Sequence, residues 1–242
     1  MNKIISRLIL LLAATMALTA CNKNSDSPSP VVPTDARYDY VTLVSTGKAM
    51  TTFSMQQSAD SEVLTFVANT SLADIQTLKA GDRLIIAYKP VGAPGAELAS
   101  GQITLYGYRL LNSTDQLLQT PSADDFAQML SVPVEMNTLF RTGQYINTQL
   151  EIYGQRPVDP SKFVLVLDPA TKNDDYPSLE LIVEPGPDNA GENRFTYYGS
   201  FDLSPVWNRA SVKGVRVSYA TNQGMRTSTF SRGGQETIRP AE

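Results

Sequence analysis

From Tyr38 onward, apolar residues recur at alternate positions or in short unbroken runs, and nowhere does the chain sustain the spacing of a long amphipathic helix. β-rich runs fall at Tyr38 to Ser45, Thr51 to Gln57, Val63 to Ala68, Arg83 to Pro90 and Gly101 to Leu111, divided by Gly, Ser, Asp and Pro clusters. One helix interrupts them. Ser71-Leu72-Ala73-Asp74 has the capping-box form, an N-cap hydroxyl followed three residues later by a carboxylate that reaches back, and it opens Leu72 to Leu78. Gly81-Asp82 then turns the chain into the fourth strand. Five short strands with a helix between the third and fourth is the layout of the OB-fold, and an SH3-like barrel is its rival.

A second capping box, Ser122-Ala123-Asp124-Asp125, predicts a helix through Leu130 and marks a border. Beyond it, Tyr145 to Tyr153 alternates cleanly: Ile146, Thr148, Leu150 and Ile152 share one face, with Tyr145, Asn147, Gln149 and Glu151 on the other. Phe163 to Leu167 is apolar on both faces, as suits a central strand, while Leu179, Leu181 and Val183 face inward. Phe195 to Leu203, Gly214 to Thr221 and Met225 to Ser231 are further strands. Asp202-Leu203-Ser204-Pro205 predicts a capped helical turn through Arg209, with Pro205 at its first position. The expectation is an all-β chain: an OB-like five-stranded barrel at residues 37–113, a linker helix at 114–131, and an antiparallel β-sandwich at 132–238.

What precedes the barrel is of another kind. Lys3 and Arg7 lead an apolar run from Leu8 to Ala20, and Leu18-Thr19-Ala20-Cys21 ends on the only cysteine of the chain. A charged n-region, a short h-region and a cysteine at the cut have the form of a bacterial lipoprotein signal over residues 1–20. The run is too short for a span of about 20 residues. Cys21 is the expected lipidation site, with acyl groups such as palmitate as the anchor. Asn22 stands where an aspartate often retains such proteins in the inner membrane, so the expected address is the outer membrane. Residues 21–36, with NKNSDSPSPVVP at their centre, read as a disordered tether.

Charge and composition mostly exclude. Loss of Lys3 and Arg7 with the signal leaves 18 basic residues against 24 acidic ones, a formal charge of −6. No basic run supplies the counterion-displacing surface that nucleic acid requires. The chain has no histidine, which removes Ser-His-Asp and Cys-His hydrolases, His-ligated metals and the usual base near neutrality. Ser161-Lys162 and Ser211-Val212-Lys213 do not match a Ser-x-x-Lys motif. A pair of carboxylates as in glycosidases is decided only by spacing in three dimensions. With Cys21 acylated, no thiol is left for a disulfide or thiolate metal site.

The order of lipobox, tether, barrel and sandwich, with Gly143-Gln144-Tyr145-Ile146-Asn147, Phe163-Val164-Leu165-Val166-Leu167, Leu179-Glu180-Leu181 and Gly199-Ser200-Phe201-Asp202-Leu203-Ser204, resembles the NigD-like lipoproteins of Bacteroidota. The resemblance covers nearly the whole mature chain. It implies an N-terminal OB domain, a C-terminal β-sandwich, no catalytic motif, and an accessory or immunity role of the kind proposed for the bacteriocin gene cluster that gives the family its name.

Two sets of residues are candidate binding groups. Tyr38, Tyr40, Tyr88, Tyr106 and Tyr108 either form a stacking platform for a sugar or an extended chain, or plug the barrel and blunt its edges. Asp168, Asn173, Asp174 and Asp175 in one loop, with Glu184, Asp188, Asn189, Glu192 and Asn193 in the next, either meet as an oxygen cage for calcium or serve as turn formers. The functional expectation is a non-enzymatic binding or scaffolding module for an envelope protein or an incoming polypeptide. The alternative is carbohydrate recognition, with or without the assistance of calcium; no other cofactor is expected.

Overall fold

A computed structural model describes residues 32–47, 49–57, 61–69, 73–92, 99–112, 118–159, 162–184 and 191–232. The expected signal segment, Cys21 and most of the expected tether lie outside these residues. In the first half, β1 (Arg37–Thr46), β2 (Thr51–Met55), β3 (Leu64–Ala68), β4 (Arg83–Pro90) and β5 (Gly101–Asn112) close into a barrel of order β1-β2-β3-β5-β4. β3 and β5 run parallel and β1 closes on β4 antiparallel. The helix expected between β3 and β4 is a 3-10 helix, Ala73–Thr77, whose Ile75 is wholly buried among the barrel residues Val41, Phe53, Phe66, Leu84, Ile86 and Tyr88. A short plug of this kind closes a small barrel without spending a sheet edge.

The second capping box forms as expected: Ser122 Oγ accepts from the Asp125 N–H at 3.1 Å. Its helix, α1 (Ala123–Gln128), stops two residues short of Leu130, because Met129 is already extended. Then come β6 (Glu135–Thr142), β7 (Tyr145–Gly154), β8 (Phe163–Leu167), β9 (Ser178–Val183), β10 (Asn193–Asp202), α2 (Ser204–Trp207), β11 (Gly214–Thr221) and β12 (Gly224–Ser231). They make two sheets, β10-β7-β6 and β12-β11-β9-β8. Ile146, Leu150 and Phe201 of the first pack against Leu165, Leu181, Val217 and Phe230 of the second in one apolar core. The α2 turn forms where the sequence predicts one, but it starts at Ser204, so Pro205 is its second position rather than its first. Leu203 is an N-cap without a side-chain capping bond, and the helix ends at Trp207, short of Arg209. Asp202 Oδ1 accepts from the Ser204 N–H at 2.8 Å just ahead of it.

Two features depart from the sequence expectation. β6 is a strand that the alternation does not reveal, because its register slips between Met136 and Thr138. The buried positions are therefore Met136, Leu139, Arg141 and Thr142, and the period of two is broken. The second sheet is also not wholly antiparallel, since β9 and β11 pair in parallel. Between these two strands the chain builds β10 in the opposite sheet, a connection long enough to permit parallel pairing.

Candidate functional site

Residues that point out of the barrel wall at β4 should be wet, yet Ile85 and Ala87 are 3% and 1% exposed. They are buried because the outer face of β1, β4 and β5 meets the outer face of sheet β10-β7-β6. At the centre of this junction lies Arg83, the first residue of β4. Its Nε donates to Ser200 Oγ at 2.8 Å, one terminal nitrogen donates to Thr42 Oγ1 at 2.8 Å, and the other donates to Asn147 Oδ1 at 3.2 Å. The guanidinium carbon sits 3.9 Å from the centroid of the Tyr145 ring. No carboxylate among the described residues pairs with it. Ser200 Oγ donates onward to Asn147 Oδ1, and Asn147 Nδ2 donates to Thr142 Oγ1. Burial draws the Arg83 pKa down to about 10, against the opposing pull of Tyr145, Tyr40 and Asp202. The group stays cationic at neutral pH, held by dipoles and a π face.

Tyr40 completes the junction. Its hydroxyl donates to the Thr148 carbonyl at 3.3 Å, and its ring meets Phe140 edge-on at 5.4 Å. Burial raises its ionisation well above that of an ordinary phenol. Nearby, Arg109 of β5 lies 5.1 Å from the Tyr198 ring of β10. Farther along the sandwich face, Glu135 and Glu151 are direct cross-strand partners on β6 and β7. Like charges so placed repel. Arg194 contacts both carboxylates, Asn137 donates to Glu151, and the Tyr153 hydroxyl donates to Glu135. One cation thus bridges the two carboxylates, and each also accepts a hydrogen bond.

The five candidate tyrosines do not converge on one platform. Tyr88 is 0% exposed inside the barrel, its ring 5.2 Å from Phe66, and Tyr108 packs against the same core. Tyr40 is in the junction, Tyr106 is half-buried beside Lys89, and Tyr38 is 41% exposed on the outer face of β1. At the barrel mouth the Tyr88 hydroxyl donates to Asp39 Oδ2 at 2.8 Å. Burial pushes the Asp39 carboxyl up to about 6, opposed by Tyr88 and Arg37.

The acidic side chains described in the two loops are individually engaged or exposed. Asp168 Oδ1 accepts from the Ala170 N–H at 2.9 Å, Asp175 pairs with Lys213, and Asp174 is exposed. Glu184 pairs with Lys162. Asp188 and Asn189 lie outside the described residues. Among the described residues, no three His, Cys, Asp or Glu side chains converge as a metal site would require. Of the two serine-lysine candidates, Ser161 is outside the described residues, and both lysines are committed to surface ion pairs. Sequence reasoning did not single out Arg83, Asn147 or Ser200. The available signal was an arginine heading the run Leu84-Ile85-Ile86-Ala87-Tyr88, where a fully apolar strand leaves no solvent face for it.

No family model matches the sequence, and no curated protein matches it either. Solved structures do share the fold. A protein of unknown function, DUF1344, from Bacteroides vulgatus ATCC 8482 is similar with a TM-score of 0.59 at 19% identity, over 81% of this chain and 90% of that one. A protein described as toxin related, from Parabacteroides distasonis ATCC 8503, gives 0.58 at 16% identity, over 85% and 94%. A NigD-like immunity protein from Bacteroides caccae ATCC 43185 gives 0.54 at 13% identity, over 86% and 98%. The chain has the fold of these structures along nearly their full length, as its resemblance to NigD-like proteins implies.

Proposed function

We propose that this chain is a non-enzymatic binding or scaffolding module, held at the outer membrane by a lipid on Cys21, that engages a polypeptide in a bacteriocin-associated accessory or immunity role. The observation that carries this reading is the junction. Its most buried polar constellation, Arg83 with Thr42, Asn147 and Ser200, is spent on fixing the barrel to the sandwich. A body made rigid in this way, with Tyr38, Tyr153 and the Arg109–Tyr198 pair along its seam, is suited to present a preformed surface. Support also comes from the descriptions of two similar structures, one an immunity protein and one toxin related.

The test is photo-crosslinking in living cells, with the reactive group placed at Tyr38 or Tyr153 and, as control, at the exposed Leu130 beside the far sheet. A discrete polypeptide adduct from the two seam positions and none from the control is the expected result. Equal labelling at all three positions, or none, would remove the reading. Palmitate labelling of the wild type but not of Cys21→Ala checks the anchor, and protease treatment of intact cells decides which side of the membrane the domains face.

A further inference from the structure

The barrel has no sheet edge, and most edges of the sandwich are closed or blunted. Gln119 exchanges backbone bonds with Leu165 and Leu167 along β8. β10 lies against the barrel, and β6 is interrupted by its register slip beside Glu135. β12 differs. It pairs with β11 over Gly214↔Ser231 to Thr221↔Gly224 with no shift, contains no proline, and carries a single charge, Arg226. These are the properties that protected edges lack.

The direction of its free backbone groups follows from two bonds. The Arg216 N–H donates to Pro177 on the β9 side, and the Arg232 N–H donates to Lys213 on the β11 side. Backbone groups alternate sides along a strand. Arg226, Ser228 and Phe230 therefore bond to β11, while Met225, Thr227, Thr229 and Ser231 turn their N–H and C=O outward. Among the described residues no backbone group takes them up.

We propose that β12 is a self-association edge, on which two copies pair antiparallel across a two-fold axis and join two four-stranded sheets into one. Centring the axis on Ser228 matches Met225 with Ser231 and Thr227 with Thr229, so every outward residue is used. It also sets Arg226 opposite Phe230. Centring on Thr229 would oppose Arg226 with Arg232, and centring on Thr227 would leave Ser231 without a strand partner. The edge is thus complementary to itself in one register, as an isologous contact requires. One strand pair falls well below the roughly 800 Å² per partner of a stable complex, so the dimer is reversible and concentration-dependent. This inference is separate from the polypeptide-binding reading, which concerns the opposite sheet.

Sedimentation of the full chain carrying Cys21→Ala, from micromolar to several hundred micromolar, is expected to show the mass doubling. Thr229→Pro removes an outward N–H and spares the bonds to β11, so it should keep the chain monomeric throughout with an unchanged melting profile. Monomer at every concentration in the parent overturns the proposal, and so does a dimer that survives Thr229→Pro. If that variant fails to fold, Thr227→Cys with Thr229→Cys decides. Opposed Cα atoms in such a pair are about 5.5 Å apart, within disulfide range. Disulfide-linked dimer after mild oxidation upholds the register, and its absence overturns it.

Discussion

Arg83 and Ser200, 117 positions apart in the chain, are joined by a 2.8 Å hydrogen bond between buried side chains, one from the barrel and one from the sandwich. Because the cation has no carboxylate partner among the described residues, its stability in the junction depends on oriented neutral groups. The two units are therefore expected to unfold as one body, since separating them exposes this network together with Ile85 and Ala87.

That dependence is asymmetric. Arg83→Met removes the charge and leaves Asn147 and Ser200 still bonded to each other, for a loss of about 2 kcal/mol. Asn147→Leu leaves the buried cation with one acceptor fewer and takes the acceptor from Ser200 as well, and should cost more, about 3–5 kcal/mol. Urea unfolding of both variants checks the order. Equal losses would mean that the cation is solvated in the junction rather than held by Asn147.

Asp39 ties stability to pH. Its carboxyl is raised to about 6 in the fold from an ordinary 3.8, so the folded protein holds the extra proton between those values. The stabilisation is complete below pH 4, falls as pH rises toward 6, and is absent above. Asp39 is only half-buried, so the effect should be on the order of 1–2 kcal/mol. Asp39→Asn should raise the melting temperature at pH 7 and remove this slope. An unchanged slope in the variant would assign it to another group.

At the β6–β7 turn, Gly143 has φ +54°, and an added Cβ would lie 1.7 Å from Gln56 Oε1 of the barrel. Gly143→Ala should cost about 1–3 kcal/mol, from left-handed backbone strain plus this crowding. Adding Gln56→Ala should recover the crowding part alone. Gly224→Ala, also at positive φ but facing open space, isolates the backbone part.

Much of the architecture was legible because barrel and sandwich strands expose alternate residues, and a cap such as Ser122 acts locally. β6 was not, since its slip at Asn137 destroys the period that sequence reading relies on. The tyrosines mislead for a related reason. Residue type does not reveal the β5 bulge between Leu105 and Gly107, and without that register shift Tyr106 would stand opposite Tyr88, on the face that Tyr108 shares. Arg83 was hidden because its partners are hydroxyls and an amide distant in sequence, and no charge pattern announces such a site.

The acidic loops give a prediction for metal. Asp168 is occupied in capping Ala170 and Asp175 in pairing with Lys213, so neither calcium nor EDTA should move the melting temperature. Selective binding to the folded state at 100 times its dissociation constant would add about 2.7 kcal/mol, which a thermal scan would detect. A rise with calcium that EDTA reverses would restore the metal-binding reading of Asp168, Asp174, Asp175 and Asp188.

Tyr40 tests whether the junction tyrosine is recognition or architecture. Its hydroxyl is used on the Thr148 carbonyl and its ring on Phe140, so little remains to stack on a ligand. Tyr40→Phe should cost about 1 kcal/mol for the lost bond. A double-mutant cycle of Tyr40→Ala and Phe140→Ala should give a coupling of about 0.5–1.5 kcal/mol, the range for a buried edge-to-face pair. Tyr38→Ala, two residues along the same strand and largely exposed, should change stability by less than about 0.5 kcal/mol. If both substitutions instead left the fold untouched and only Tyr40 altered binding to a glycan array, the sugar-platform reading would displace the structural one. The burial that raises the phenol's ionisation argues for architecture: spectrophotometric titration should find Tyr40 still protonated at a pH where an ordinary phenol has already ionised.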